Sequence, residues 1–283
     1  MRVWLFAITL GIGTVWSMTA TAQTAAGLAQ PAPIRQSDPT LDAAAEYVGR
    51  ALFLRCFCSG DTLSFDEQGK PSGTVKPEDW TLAGVNVLKV ERKGPEAIEM
   101  EGVRVAVRFV PERREFERHP QNDEKMRITV ADTGDRNQMK RALEAIFSVG
   151  IDVRLQHTMP EYWRHYFDPK LAWTADELAG QTIYSTAPGS GVTPPNATHK
   201  AEPGYTLLAQ KDRVKGTVQI RAVVDAQGVA RRITIAQPLG YGLDEKAVEA
   251  LAKFRFAPAT NEGKPVASNV VVSQEYVLVA PPQ

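Results

Sequence analysis

The side chains best placed for chemistry in this sequence are His157, Glu161 and His165. On a helix, Glu161 and His165 share a face. Imidazoles beside a carboxylate are raw material for a metal site. Such a site needs three or four ligands at set spacings, and none of the zinc spacings is present. Ordinary aromatic packing is expected instead, because His165 lies inside Tyr162-Trp163-Arg164-His165-Tyr166-Phe167. The two cysteines, Cys56 and Cys58, match neither a C-x-x-C redox motif nor a zinc set. A bridge between residues two apart closes a tiny ring with poor geometry, so two semi-buried thiols are expected, with an intermolecular bridge as the alternative. Asp132 and Asp135 flank Gly134 as turn residues do. No G-x-S-x-G elbow, P-loop or dinucleotide fingerprint is found. The expectation is a non-enzyme with no catalytic residue, no metal and no cofactor.

Composition narrows the alternatives. The chain has 283 residues, 43% apolar and 23% charged, which suits one large or two modest globular domains. Lys+Arg and Asp+Glu are equal at 33 each. That balance argues against nucleic acid as a partner. The N-terminus carries Arg2, an apolar run from Val3 to Val15, and Ala20-Thr21-Ala22 before Gln23. This is the pattern of a cleavable signal peptide over residues 1–22, which marks the chain for export. The alternative is an uncleaved membrane anchor, for which the apolar run is short of the ~20 residues a span needs.

Residues 23–37 form an Ala/Gln/Pro-rich leader. Residues 38–180 predict an α+β domain rich in strands. Ser37-Asp38-Pro39 starts a helix, with Leu41, Ala44, Ala45, Val48 and Leu52 at helical spacing. Strands are expected at 62–65, 80–90, 97–110 and 126–130. In the third, Val103, Val105, Val107 and Phe109 alternate with Arg104, Ala106 and Arg108, as on a half-buried strand. The mixed-charge run 111–119 reads as a solvated face. A helix is expected from Asp135 through Val149, ended by Gly150. Residues 181–204 hold many Pro, Gly, Ser and Thr and little apolar bulk, the composition of a linker.

The C-terminal unit, 205–279, has the most legible pattern. Val218, Ile220, Ala222 and Val224 alternate along a strand. Asp225-Ala226-Gln227-Gly228 is a hairpin turn. Ile233 and Ile235 lie on the return strand. Leu243, Ala247, Ala250, Leu251 and Phe254 line one side of a helix, with Asp244 and Glu245 at its positive N-terminus. Val270 to Val279 is a last long strand. The order is β-β-α-β.

These residues resemble the C-terminal domain of the TonB family. The matching pieces are Pro203-x-Tyr205, Lys215-Gly216-Thr217-Val218, Val224-Asp225-x-x-Gly228, Gly242-Leu243-Asp244, Phe254-Arg255-Phe256-x-Pro258-Ala259 and Gly263-Lys264-Pro265-Val266. The resemblance implies a periplasmic protein that pairs with an extended peptide segment of an outer-membrane TonB-dependent transporter, coupled to an inner-membrane motor complex. It implies partner contacts at Pro203 and Tyr205 and along the last strand, at Val270, Val271, Val272, Ser273, Gln274 and Glu275. An exposed edge strand offers unpaired N–H and C=O groups to such a peptide. Val272→Pro is expected to remove one of these donors. Two features depart from an energy transducer of this family: the anchor looks cleavable, and a folded domain replaces the long Pro-rich spacer. The alternative is a soluble periplasmic scaffold or adaptor, or a homodimer formed through edge strands.

Overall fold

The computed structural model describes residues 37–278, so the expectations for residues 1–22 and for most of the leader lie outside the described residues. From Asp38 onward the chain is one compact α+β unit. A helix α1 spans Pro39–Ala45, capped by the Asp38 carboxylate, which accepts from the Leu41 N–H at 3.1 Å. The expected helical stripe stops there. Leu52 lies instead in the short strand β1, Leu52–Leu54, buried at all three positions. Strands β2 (Thr62–Phe65), β3 (Gly84–Arg92), β4 (Ala97–Val110) and β5 (Glu115–Ala131) follow. Trp80–Leu82, expected to open a strand, is a single 3-10 turn capped by Asp79. The charged run 111–119 makes a turn and then enters β5, whose Phe116 packs edge-on to Trp80 at 5.1 Å.

Helix α2 spans Arg136–Ile146, with the Asp135 carboxylate accepting from the Asn137 N–H at 2.7 Å. Its expected last turn is instead strand β6, Phe147–Val149, which pairs with β1. The six strands form one sheet in the order β2-β5-β4-β3-β1-β6, antiparallel except for β2 with β5. Strand β4 is buried without interruption from Gly102 to Val107, not on one face as alternation predicts. Both faces are covered there, and the buried Arg104 guanidinium donates to the Cys58 and Gly60 carbonyls. Cys56 and Cys58 form a disulfide, which corrects the expectation of two thiols. Phe57 between them adopts a left-handed backbone (φ 45°), which folds the chain back and brings the two Cα atoms to 5.1 Å, within ordinary disulfide range.

Helices α3 (Val153–Thr158) and α4 (Glu161–Phe167) lead out of this sheet. The Pro/Gly-rich segment 181–204 is not free of structure. Its strands β7 (Val192–Thr193) and β8 (Asn196–His199) pair with short strands β11 and β12 of the C-terminal part: β8 with β11 (Arg255–Ala257) and β7 with β12 (Ala259–Asn261). Backbone pairing needs few apolar side chains, so composition alone gave no sign of it. After α5 (Leu207–Lys211), β9 (Gly216–Val224) and β10 (Ala230–Gln237) form the expected hairpin, with Gly228 at φ 79° in the turn. Helix α6 spans Leu243–Lys253; β13 (Lys264–Val266) pairs with β12, and β14 (Ser268–Tyr276) completes a three-stranded sheet in the order β10-β9-β14. One apolar core runs from Ala43 through Trp80 and Trp163 to Leu251 and Tyr276, joining both parts.

Candidate partner-binding edge

Strand β14 pairs with β9 along its whole length, from Ser268 opposite Val224 to Tyr276 opposite Gly216. Among the described residues, its other side is covered only at the start. There the Tyr184 N–H donates to the Ala267 carbonyl at 2.8 Å, and the Asn269 N–H donates to the Tyr184 carbonyl at 3.4 Å. In an antiparallel strand the N–H and C=O of alternate residues point to the same side. Since Asn269 points outward, so do the backbone groups of Val271, Ser273 and Glu275. Among the described residues, no backbone partner meets them. The amides of Val270, Val272 and Gln274 point inward to β9.

The six residues expected on this strand therefore divide into two sets. Val271 is 58% exposed, and Ser273 and Glu275 are exposed as well. Val270 and Val272 are half-buried and Gln274 is buried. Val272→Pro would break the ladder to β9 instead of a donor to a partner; Val271 and Ser273 are the outward donors. A cavity of about 510 Å³ adjoins the first half of the edge, lined by Pro194, Pro195, Arg221, Asn269 and Val271 among others.

Pro203 and Tyr205 are both half-buried. The Tyr205 hydroxyl donates to the Val214 carbonyl at 3.1 Å, and its ring stands edge-on to Tyr276 at 5.1 Å. Burial raises the pKa of this phenol. Tyr205 thus braces the far end of β14, with its polar atom engaged within the chain.

The docking of residues 239–242 onto the N-terminal part was not foreseen from the sequence. The Phe109 N–H donates to the Leu239 carbonyl at 3.0 Å, and the Tyr241 N–H donates to the Val107 carbonyl at 2.8 Å. Gly240 sits at φ 92°, and a Cβ there would lie 2.1 Å from the Val107 oxygen. The Gly242 N–H donates to Thr81 Oγ1 at 2.7 Å. Two glycines around one tyrosine were the available signal. Beneath this loop Asp244 is fully buried and accepts from the Leu239 and Gly240 N–H groups at 2.8 and 2.7 Å. Burial, with the nearby Asp79 charge adding to it, pushes its pKa up to about 8. Asp79 is raised too, first by burial, although it accepts from Thr81 and from Trp163 Nε1. Asp244 stands in the first turn of α6, as expected, and also ties the docking loop to that helix.

His165 and Glu161 do face each other, at 4.0 Å, and His165 stacks on Trp173 with ring centroids 3.7 Å apart. Among the described residues no three His, Cys, Asp or Glu side chains group as metal ligands. Among the same residues no helix is long and apolar enough to cross a membrane.

The sequence profile described as Gram-negative bacterial TonB protein C-terminal matches residues 201–278. The protein TonB of Vibrio cholerae serotype O1 is 28% identical over 107 residues, an alignment covering 35% of this chain. The chain spans less than half of that relative, 44% of its length. The solution structure of the Pseudomonas aeruginosa TonB C-terminal domain aligns at 19% identity with a TM-score of 0.25, covering 35% of this chain and 98% of that one.

Proposed function

We propose, from the premise that residues 201–278 form a TonB-type C-terminal domain, that this chain is a non-enzymatic envelope protein which binds an extended peptide along β14. The peptide is a segment of an outer-membrane transporter. The observation that carries this reading is the open outer side of β14 at Val271, Ser273 and Glu275. An added strand satisfies these N–H and C=O groups, each bond contributing about 0.5–1.5 kcal/mol net. Association costs several kcal/mol. Backbone pairing alone therefore gives weak binding, and the cavity beside Val271 supplies the further contact through peptide side chains.

Coupling to an inner-membrane motor requires residues 1–22 to stay in the membrane. N-terminal sequencing of the protein from its native envelope decides this. A start at Gln23 excludes force transmission and leaves a periplasmic binding module. A retained N-terminus that partitions with the inner membrane supports transduction. The edge itself is tested by titrating transporter-segment peptides into Ser273→Pro, which removes an outward donor and leaves the ladder to β9 intact. Unchanged affinity would contradict strand addition. A concentration-dependent dimer that Ser273→Pro abolishes, with no peptide binding, would assign the same edge to a second copy of the chain.

A further inference from the structure

A second cavity, of about 530 Å³, lies between the face of the C-terminal sheet opposite α6 and the segment that follows α4. Its lining includes Arg114, Arg221, Arg232, His165, Trp173 and Asn269. The charges here are unbalanced. Arg232, whose backbone sits at φ 43° in a break of the β9–β10 register, is held by Asp176 through bonds of 2.8 and 2.6 Å. No ion pair or side-chain hydrogen bond engages the Arg114 or Arg221 guanidinium among the described residues.

His165 forms part of the cavity wall. It is 5% exposed, and its Nε2 has no hydrogen-bond partner. The Glu161 carboxylate, at 4.0 Å, is beyond bonding distance. That nitrogen is enclosed on the Glu161 side, so the cavity is met by the imidazole ring and not by Nε2. Three guanidinium groups and one imidazole converge on a single polar cavity whose other walls, Tyr166, Trp173 and Ile183, are largely apolar.

We propose that this cavity binds a small multivalent carboxylate, with the Arg114 and Arg221 guanidinium groups pairing with its carboxylates beside the His165 and Trp173 rings. Guanidinium forks match the planar geometry of carboxylates, which favours this ligand class. The cavity shares Arg221 and Asn269 with the one beside Val271, but the proposal does not rest on strand addition, which uses the outward backbone groups of β14.

The test is isothermal titration of citrate into the full chain at fixed ionic strength, with the side-chain resonances of His165 followed in parallel. Saturable binding is expected, with a shift of the His165 signals. The double variant Arg114→Gln/Arg221→Gln should bind citrate at least about tenfold more weakly, since charge-assisted bonds are lost. Its thermal midpoint without citrate should match the parent, because neither side chain bonds within the chain. Absence of saturable binding, equal affinity in the double variant, or unmoved His165 signals at saturation would each overturn the proposal.

Discussion

Loop 239–242 and strand β14 belong to the same C-terminal unit and offer the same backbone chemistry, but they use it in opposite ways. In the loop, Leu239, Tyr241 and Gly242 have their outward groups bonded to Val107, Phe109 and Thr81 of the N-terminal part. On β14, the groups of Val271, Ser273 and Glu275 have no partner within the described residues. The loop has lost its availability: its two glycines admit a close approach that side chains would block. The strand keeps a side-chain-bearing edge whose outward backbone groups are unpaired among the described residues. A unit of this type can thus be fused to another domain on one side and remain open on the other.

The comparison breaks most sharply at Gly240. Gly240→Ala combines a left-handed backbone with a collision at the Val107 carbonyl, so a loss of about 3 kcal/mol or more is expected in urea unfolding. A loss under about 1 kcal/mol would mean that the loop is not docked.

Strand β14 allows a finer cut between neighbouring residues. Val272→Pro should cost about 2–3 kcal/mol of stability, because its inward amide bonds β9 and leaves a buried acceptor unpaired. Ser273→Pro should cost less than about 1 kcal/mol yet abolish peptide binding. Equal effects of the two on stability would remove the distinction between the sides of the strand.

The buried carboxylates under the loop give a pH dependence. Asp244 is pushed up to about 8 when folded, against about 4 when unfolded. The folded state then holds a proton that the unfolded state has lost, so this contribution is full below about pH 4 and is lost as pH rises to about 8. Asp79, also raised by burial, acts in the same direction. Asp38 and Asp152 act oppositely: hydrogen bonds from Arg92 and Arg55 hold them well below the usual carboxylate range, so their contribution is lost as pH falls below about 4. Asp244→Asn should flatten the decline in unfolding free energy between about pH 4 and 8. A slope identical to the parent would show that Asp244 does not titrate there.

The smallest effect is expected at Tyr241, whose hydroxyl donates to Asp212 at 2.8 Å. Tyr241→Phe should cost about 1 kcal/mol, because Asp212 retains the Gln121 amide as a donor. Thermal unfolding checks this, and a much larger loss would give the hydroxyl a greater part in docking.

The sequence made β9, its turn, β10, α6 and β14 readable because alternation and helical spacing follow directly from burial on one face. The same logic misled wherever a second layer covered the chain. Gly102 to Val107 alternate in type but are buried on both faces. Leu52 and Phe147 continue helical stripes, yet tertiary pairing draws both into β1 and β6. The strands within 181–204 rest on backbone bonds, which leave little trace in composition. Of the candidate site, the edge strand was foreseen but not which of its residues face outward, since that parity depends on the register with β9. The role of Tyr205 depends on the hydroxyl bond to Val214, which no spacing encodes.

The most direct measurement is amide hydrogen exchange along β14, with and without a transporter-segment peptide. In the unliganded chain, Val271, Ser273 and Glu275 should exchange fast and Val270, Val272 and Gln274 slowly. Saturating peptide should protect the first set and leave the second unchanged. Protection of Val271, Ser273 and Glu275 before peptide is added, or no change in them at saturation, would contradict strand addition at this edge.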